Sequence, residues 1–291
     1  MPELPEVEVT RRRIAPVLLG RRIARVNTTR PSYFFLTPPG KLRSALVGTT
    51  STEIVRHGKY LVARLDSGAG LLLHLGMTGQ LFTSDVHSPR LLRKTARAAL
   101  APGEQRGFQP DAHTHLMLEF DDGGPSLYFR DVRKFGKVRL LNEKLADPRL
   151  DRLGTDALAI EPAELYERTR DRKVPIKSVL LDQAVLAGVG NIYADEALYL
   201  AGVRPARAAR RVTREECAAL VRAVKRVLGR AIEAGGSSIS DFVGPDGSDG
   251  HYQDERWVYS RTGERCRRCA TPIRRLVIGQ RSAHFCPQCQ K

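Results

Sequence analysis

Between residues 22 and 141 apolar and polar positions alternate in short runs separated by glycine-containing turns, the period-two signature of half-buried strands. Runs at 22–28, 53–65, 70–75, 115–120, 126–129 and 136–141 read as strands, and Asp121-Asp122-Gly123-Gly124 signals a hairpin between two of them. Residues 2 to about 19 read as a helix, since the prolines at positions 2 and 5 are tolerated in a first turn. Residues 2–141 are therefore expected to form a β-sandwich with a helix at its edge. After about residue 145 the period becomes helical. Thr213-Arg-Glu-Glu216 has the form of a capping box, and Leu220, Val221, Val224, Val227, Leu228 and Ile232 follow at helical spacing until Gly235-Gly236. The spacing predicts a helical domain over 146–235. The whole is an α+β multidomain chain.

Two stretches lack a period. The segment 84–111 carries Arg90, Arg93, Lys94, Arg97 and Arg106 among alanines, prolines and glycines, and reads as a surface insertion. The Gly/Ser/Asp-rich stretch 235–251 reads as a long loop of the kind that is more often functional or mobile than filler. No internal repeat, Walker, dinucleotide or serine-nucleophile motif is present.

The strongest local motif is near the C-terminus. Cys266-Arg-Arg-Cys269 and Cys286-Pro-Gln-Cys289 are separated by sixteen residues, within the spacing of a four-cysteine zinc ribbon, with an apolar run at 273–278 suited to a hairpin between them. Two disulfides are the competing reading. Five cysteines in all, no signal peptide and no long apolar segment favour a reducing cytosol, hence a cytoplasmic protein with one structural Zn2+ and no open coordination position. Cys217, in the helical pattern, reads as a packed thiol.

Charge narrows the partner. Forty-eight Lys and Arg stand against 32 Asp and Glu, a net +16, with basic residues spread over many short clusters. That balance fits a folded surface that touches phosphates, and no basic amphipathic anchor or lipidation signal points to a membrane.

The chain begins Met-Pro2-Glu3-Leu4-Pro5-Glu6. Removal of Met1, which a proline next in line permits, exposes a secondary α-amine with a pKa of about 8 against roughly 10.4 for lysine, a candidate nucleophile near neutral pH. By itself this start reads better as two prolines stiffening a helix, and Glu6 reads equally well as a first-turn acid complementing the helix dipole.

Taken together, 2–8 (Pro-Glu-Leu-Pro-Glu-Val-Glu), Lys59-Tyr60, 74–79 (His-Leu-Gly-Met-Thr-Gly), 131–136 (Asp-Val-Arg-Lys-Phe-Gly), 188–196 (Gly-Val-Gly-Asn-Ile-Tyr-Ala-Asp-Glu) and the four-cysteine finger resemble the bacterial formamidopyrimidine-DNA glycosylase family over nearly the whole chain. The resemblance implies an N-terminal β-sandwich catalytic domain, a helix-two-turn-helix domain, a lesion-covering loop and linker at 236–256, and a zinc finger at 257–291, with double-stranded DNA running through a cleft. It implies a monomeric enzyme of base excision repair, associated with the nucleoid through DNA binding. This enzyme would be both a glycosylase removing 8-oxoguanine and formamidopyrimidines and a lyase cutting abasic sites.

The resemblance also assigns residues. Pro2 would attack C1′ and Glu3 would act as the general acid, a role favoured by a raised carboxylate pKa. Glu6 would orient the N-terminus, and Lys59 would serve the β-elimination by holding a phosphate or moving a proton. Arg281 matches an arginine associated with δ-elimination, best viewed as a bidentate phosphate clamp. Met77, Arg133 and Phe135 would fill the space left by an extruded base, as base-flipping enzymes require. His74, His113, Lys173, Lys177 and Asn191 are the remaining DNA-contact candidates. His113 and His115 look like a metal pair, but no third ligand is evident nearby. The loop at 237–251 would cover a flipped base and be mobile without DNA. The chain departs from the family pattern at Lys134, at Ala283 and in the length of 84–111. Two alternatives stand beside this reading: the related endonuclease VIII branch acting on oxidised pyrimidines, against which Leu4 argues, and a non-catalytic zinc-ribbon DNA-binding protein, which would not explain Pro2, Glu3 and Lys59.

Overall fold

A computed structural model describes residues 2–86, 108–238 and 242–291. The chain forms two compact units, Met1–Pro148 with Ala234–His251, and Arg149–Glu233 with Tyr252–Lys291.

The first unit opens with helix α1 (Leu4–Leu18), capped by Glu3 and carrying Pro5 in its first turn. Strand β1 (Ile23–Thr28) and helix α2 (Pro39–Leu46) follow, then β2 (Ser51–His57), β3 (Tyr60–Leu65), β4 (Gly70–His74), β5 (Gly79–Thr83), β6 (Thr114–Phe120), β7 (Leu127–Asp131) and β8 (Lys137–Leu141). They build two four-stranded antiparallel sheets in the orders β2-β3-β4-β8 and β1-β6-β7-β5. Leu61, Ala63, Leu71 and Leu73 from the first sheet share one core with Leu81, Leu116, Leu118 and Phe129 from the second, and α1 adds Val7, Ile14 and Leu18. Sealing each sheet's apolar face against the other is what makes this a sandwich.

One local expectation is corrected, and two elements are not legible in the sequence. The run at 53–65 is not one strand but the hairpin β2–β3, turned at Gly58-Lys59, where Gly58 has φ +56 and His57 pairs with Tyr60. A two-residue turn with positive φ at its first centre is the II′ geometry, too short to interrupt the alternation visibly. Helix α2 is not legible because it gives the core cluster only two leucines, Leu42 and Leu46, and opens with Pro39-Gly40, which look like a turn. Strand β5 is buried along its whole length and carries no period-two pattern. Of the expected insertion, residues 87–107 lie outside the described residues; at its flanks Val86 and Phe108 are buried against Phe82.

The second unit contains the two-residue parallel pair β9 (Thr155–Asp156) and β10 (Leu186–Ala187). Its main helices are α3 (Pro162–Thr169), α4 (Ile176–Leu181), α5 (Asn191–Ala201), α6 (Arg214–Glu233) and α7 (Tyr252–Glu255), and the hairpin β11 (Arg274–Ile278) to β12 (Arg281–Phe285) follows them. The capping box of α6 forms: Glu216 N–H donates to Thr213 Oγ1 at 3.2 Å, and Thr213 N–H donates back to Glu216 Oε2 at 2.9 Å. The expected stripe of α6, with Cys217, is buried, and the helix packs on α5 and α3. Glu196, on α5, accepts the backbone N–H groups of Trp257, Val258 and Tyr259 at 2.8–2.9 Å, which fixes the approach to the cysteine hairpin. Burial raises its pKa against the pull of those three donors. No helix among the described residues is long and apolar enough to cross a membrane.

Candidate active site and metal centre

The start of α1 concentrates polar groups where a core would be expected to exclude them. Pro2, Glu3 and Glu6 are all buried. Glu6 holds two segments with one carboxylate: Oε2 accepts Glu3 N–H and Oε1 accepts Ser237 N–H, each at 2.8 Å. The first bond is half of a capping box, the reciprocal half running from the Glu6 backbone to the Glu3 side chain. The loop after α6 is held again by Arg13, whose Nη1 donates to Asp246 Oδ1 and Ser248 Oγ. Residues 239–241 of that loop lie outside the described residues.

One turn along α1, Glu8 gathers three arginines. Arg11, Arg12 and Arg56 donate to it at 2.8–3.2 Å. Burial pushes the Glu8 carboxyl up, but the three guanidiniums outweigh burial and hold it at about 2. Arg56 also donates through Nη1 to the Gly58 carbonyl at 3.0 Å. The helix that presents Pro2 and Glu3 is thereby tied to the turn that presents Lys59. Lys59 itself is buried. Next in the chain, the Tyr60 ring packs 4.6 Å from the His74 ring, and His74 Nδ1 accepts Gly76 N–H at 3.2 Å.

Met77, Arg133 and Phe135 come from two loops that Asp131 locks together. Fully buried, its carboxylate accepts Thr78 Oγ1–H at 2.5 Å and Arg133 N–H at 3.2 Å on Oδ1, and Gly136 N–H at 2.6 Å on Oδ2. The backbones touch as well, since a Cβ on Gly76 (φ +63) would lie 2.5 Å from the Gly136 nitrogen. The three tips stay outside: Met77 is 36 % and Phe135 42 % exposed, and the Arg133 guanidinium lies 4.7 Å from the Phe135 ring centroid. His113 is half-buried behind this turn, its carbonyl accepting Asp131 N–H at 2.9 Å. His115 is buried between Thr29 Oγ1 and the Asp131 carbonyl, and burial lowers its pKa. Among the described residues the two histidines belong to no cluster of three potential metal ligands.

In the second unit Lys173 is exposed before α4 and Arg281 is exposed at the start of β12. Asn191 is the first residue of α5, and its buried Oδ1 has no hydrogen-bond partner among the described residues. Lys177 requires a correction. It is completely buried, with Nζ 2.6 Å from Asp195 Oδ1 and donating to the Ser282 carbonyl at 2.6 Å, so its ammonium is committed inside the unit and does not face DNA.

The four cysteines converge. Their sulfurs all lie within 4.8 Å of one another, with Cys269–Cys286 at 3.4 Å, Cys269–Cys289 at 3.5 Å and Cys266–Cys289 at 3.9 Å. A tetrahedron with Zn–S bonds of about 2.3 Å has edges of about 3.8 Å, so the cage fits zinc and its donor set is the structural one. Backbone N–H groups of Arg268 and Cys289 point at Cys266 Sγ and Cys286 Sγ, each at 3.4 Å. No disulfide joins any cysteine.

Comparison with known proteins agrees with this anatomy. Residues 1–138 match the formamidopyrimidine-DNA glycosylase N-terminal domain, 153–243 its H2TH domain, and 263–291 the zinc finger found in FPG and IleRS. Over their full lengths, this chain and a formamidopyrimidine-DNA glycosylase of Thioalkalivibrio sulfidiphilus are 42 % identical. A Lactococcus lactis FPG mutant, solved with a Fapy-dG containing DNA, superposes with a TM-score of 0.85 at 32 % identity, all of both chains covered. The L. lactis Fpg solved with an abasic site containing DNA gives 0.84 at 32 % identity, with 99 % of each chain covered. A β-sandwich, a helix-two-turn-helix unit and a four-cysteine finger in this order define a DNA glycosylase of base excision repair. The chain belongs to the formamidopyrimidine-DNA glycosylase family.

Sequence reasoning did not anticipate the work of Asp131, of the Glu8–Arg56 pair or of the Arg13 contacts. Asp131 stood inside a recognised motif, and its place between two turn glycines was the available signal. Arg56 lies 48 residues from Glu8 and Asp246 233 residues from Arg13, beyond any local pattern.

Proposed function

We propose that this protein removes 8-oxoguanine and formamidopyrimidines from duplex DNA and then cuts the strand at the resulting abasic site. The observation that carries the reading is the buried Pro2-Glu3 pair held at the head of α1 by Glu6. After loss of Met1, the Pro2 nitrogen attacks C1′, the bond from C1′ to the base breaks with its electrons leaving on the base, and Glu3 supplies the proton to the sugar or the departing base. A secondary amine can give only a cationic iminium, so the electron sink stays charged. Loss of a C2′ proton then expels the 3′-phosphate, a step served by Lys59, and a second elimination expels the 5′-phosphate while Arg281 clamps it.

Met77 and Phe135 replace the stacking area of the extruded nucleotide, and Arg133 hydrogen-bonds to the orphaned cytosine. His74, His113, Lys173 and Asn191 contact the strand, and the 237–251 loop covers the flipped base. One zinc per chain, held by Cys266, Cys269, Cys286 and Cys289, supports the hairpin that carries Arg281. A monomer suffices for all of these roles, and DNA binding places the enzyme at the nucleoid in the cytoplasm.

Borohydride trapping on a panel of oxidised purines and pyrimidines tests the proposal. Processed wild-type protein is expected to form a covalent adduct with 8-oxoguanine DNA in preference to oxidised pyrimidines, and Pro2→Gly to form far less. Equal trapping by Pro2→Gly would transfer the nucleophile to another amine, and preferential trapping on pyrimidines would overturn the substrate assignment.

A further inference from the structure

Lys177, Asp195 and His284 form a charged cluster at the heart of the second unit that the chemistry above does not use. Lys177 and Asp195 are both completely buried. Lys177 stands on α4, Asp195 on α5, and both reach β12: Lys177 Nζ donates to the Ser282 carbonyl at 2.6 Å, while Asp195 Oδ2 accepts His284 N–H at 2.8 Å and lies 3.1 Å from His284 Nδ1. The Tyr259 ring closes over His284 at 5.0 Å.

A buried ion pair gives no reliable gain in stability over apolar residues of similar size, so its presence asks for another reason. The reason lies in what the joined elements carry. Ser282 is the residue after Arg281, and Asn191 is one helical turn before Asp195 on the same face of α5. Lys173 leads into α4 four residues before Lys177. Three candidate phosphate contacts from three elements are thus referred to one buried pair.

We propose that Lys177, clamped by Asp195, is a positioning residue for Arg281: by holding the Ser282 carbonyl it sets where the first residue of β12 presents its guanidinium to the 5′-phosphate during the second elimination. The proposal rests on the glycosylase and lyase reading of the site. A misplacement of about 1 Å is enough to lose on the order of a hundredfold in a step that depends on orientation.

The test replaces the pair by apolar residues of similar volume, Lys177→Met with Asp195→Leu, which leaves no lone buried charge. Zinc content and thermal unfolding report that the variant is folded. On 8-oxoguanine DNA the ratio of δ- to β-elimination product is expected to fall on the order of tenfold or more, while base excision falls far less. Arg281→Ala added to this background should change the ratio less than it does in wild type, because both act through one guanidinium. Lys177→Arg, which keeps a cation between Asp195 and the Ser282 carbonyl, should restore part of the ratio. If the apolar pair does not fold with zinc, Lys177→Gln, a neutral donor of shorter reach, supplies the same readout. An unchanged product ratio, a parallel fall in excision and δ-elimination, or fully multiplicative effects with Arg281→Ala would each overturn the proposal. A wild-type enzyme that neither excises nor incises would instead overturn the underlying reading.

Discussion

Replacing Glu8 by glutamine should weaken the first unit by an amount that depends on pH. The carboxyl titrates at about 2 in the fold against an ordinary value of 4.5, because Arg11, Arg12 and Arg56 outweigh the burial that would raise it. A depressed carboxylate stabilises the fold above its unfolded pKa and loses that contribution as the pH falls through the folded one. The difference corresponds to about 3 kcal/mol at pH 7, shrinking to about 1 kcal/mol at pH 3 and to nothing well below 2. Glutamine cannot ionise, so the whole pH-dependent part disappears in the variant.

Hydrogen exchange followed in α1, β2 and β3 suits this case, because two separate units need not unfold in one step. Amides that exchange by global opening should lose protection on the order of a hundredfold at pH 7 in Glu8→Gln, and the gap from wild type should narrow steadily between pH 4.5 and 2. Arg56 bridges Glu8 to the Gly58 carbonyl, so the turn of Lys59 should loosen in the same measurement. A gap of equal size at pH 7 and pH 3 would refute the electrostatic account and leave only packing.

Gly76→Ala should lower the melting temperature of the first unit by several degrees, since a Cβ would meet the Gly136 and Phe135 backbone at 2.5 Å and φ is +63; an unchanged melting temperature would show that the two loops can part at no cost. Chelation should release about one zinc per chain and abolish exchange protection in β11 and β12. Retained protection there after metal loss would mean that the hairpin stands without the ion.

The sandwich is legible because short apolar-rich runs recur between glycine-containing turns, and α6 because its cap and stripe agree. What escaped was short or non-local. Gly58-Lys59 turns the chain without breaking the alternation, and α2 offers only two core leucines. At the site, residue types and spacing were enough to gather the four cysteines, whose ligand geometry is local. Lys177 misleads for the opposite reason: a lysine near other basic residues looks like a phosphate contact, and only the fold brings Asp195 and the Ser282 carbonyl to its ammonium.

The anchoring of the two loops proposed to fill the space of the extruded base has an evolutionary corollary. Asp131, Thr78, Gly76 and Gly136 determine where the loops stand, whereas the Met77, Arg133 and Phe135 side chains project outward and hold up little of the scaffold. Selection can therefore exchange those tips while the framework beneath remains intact.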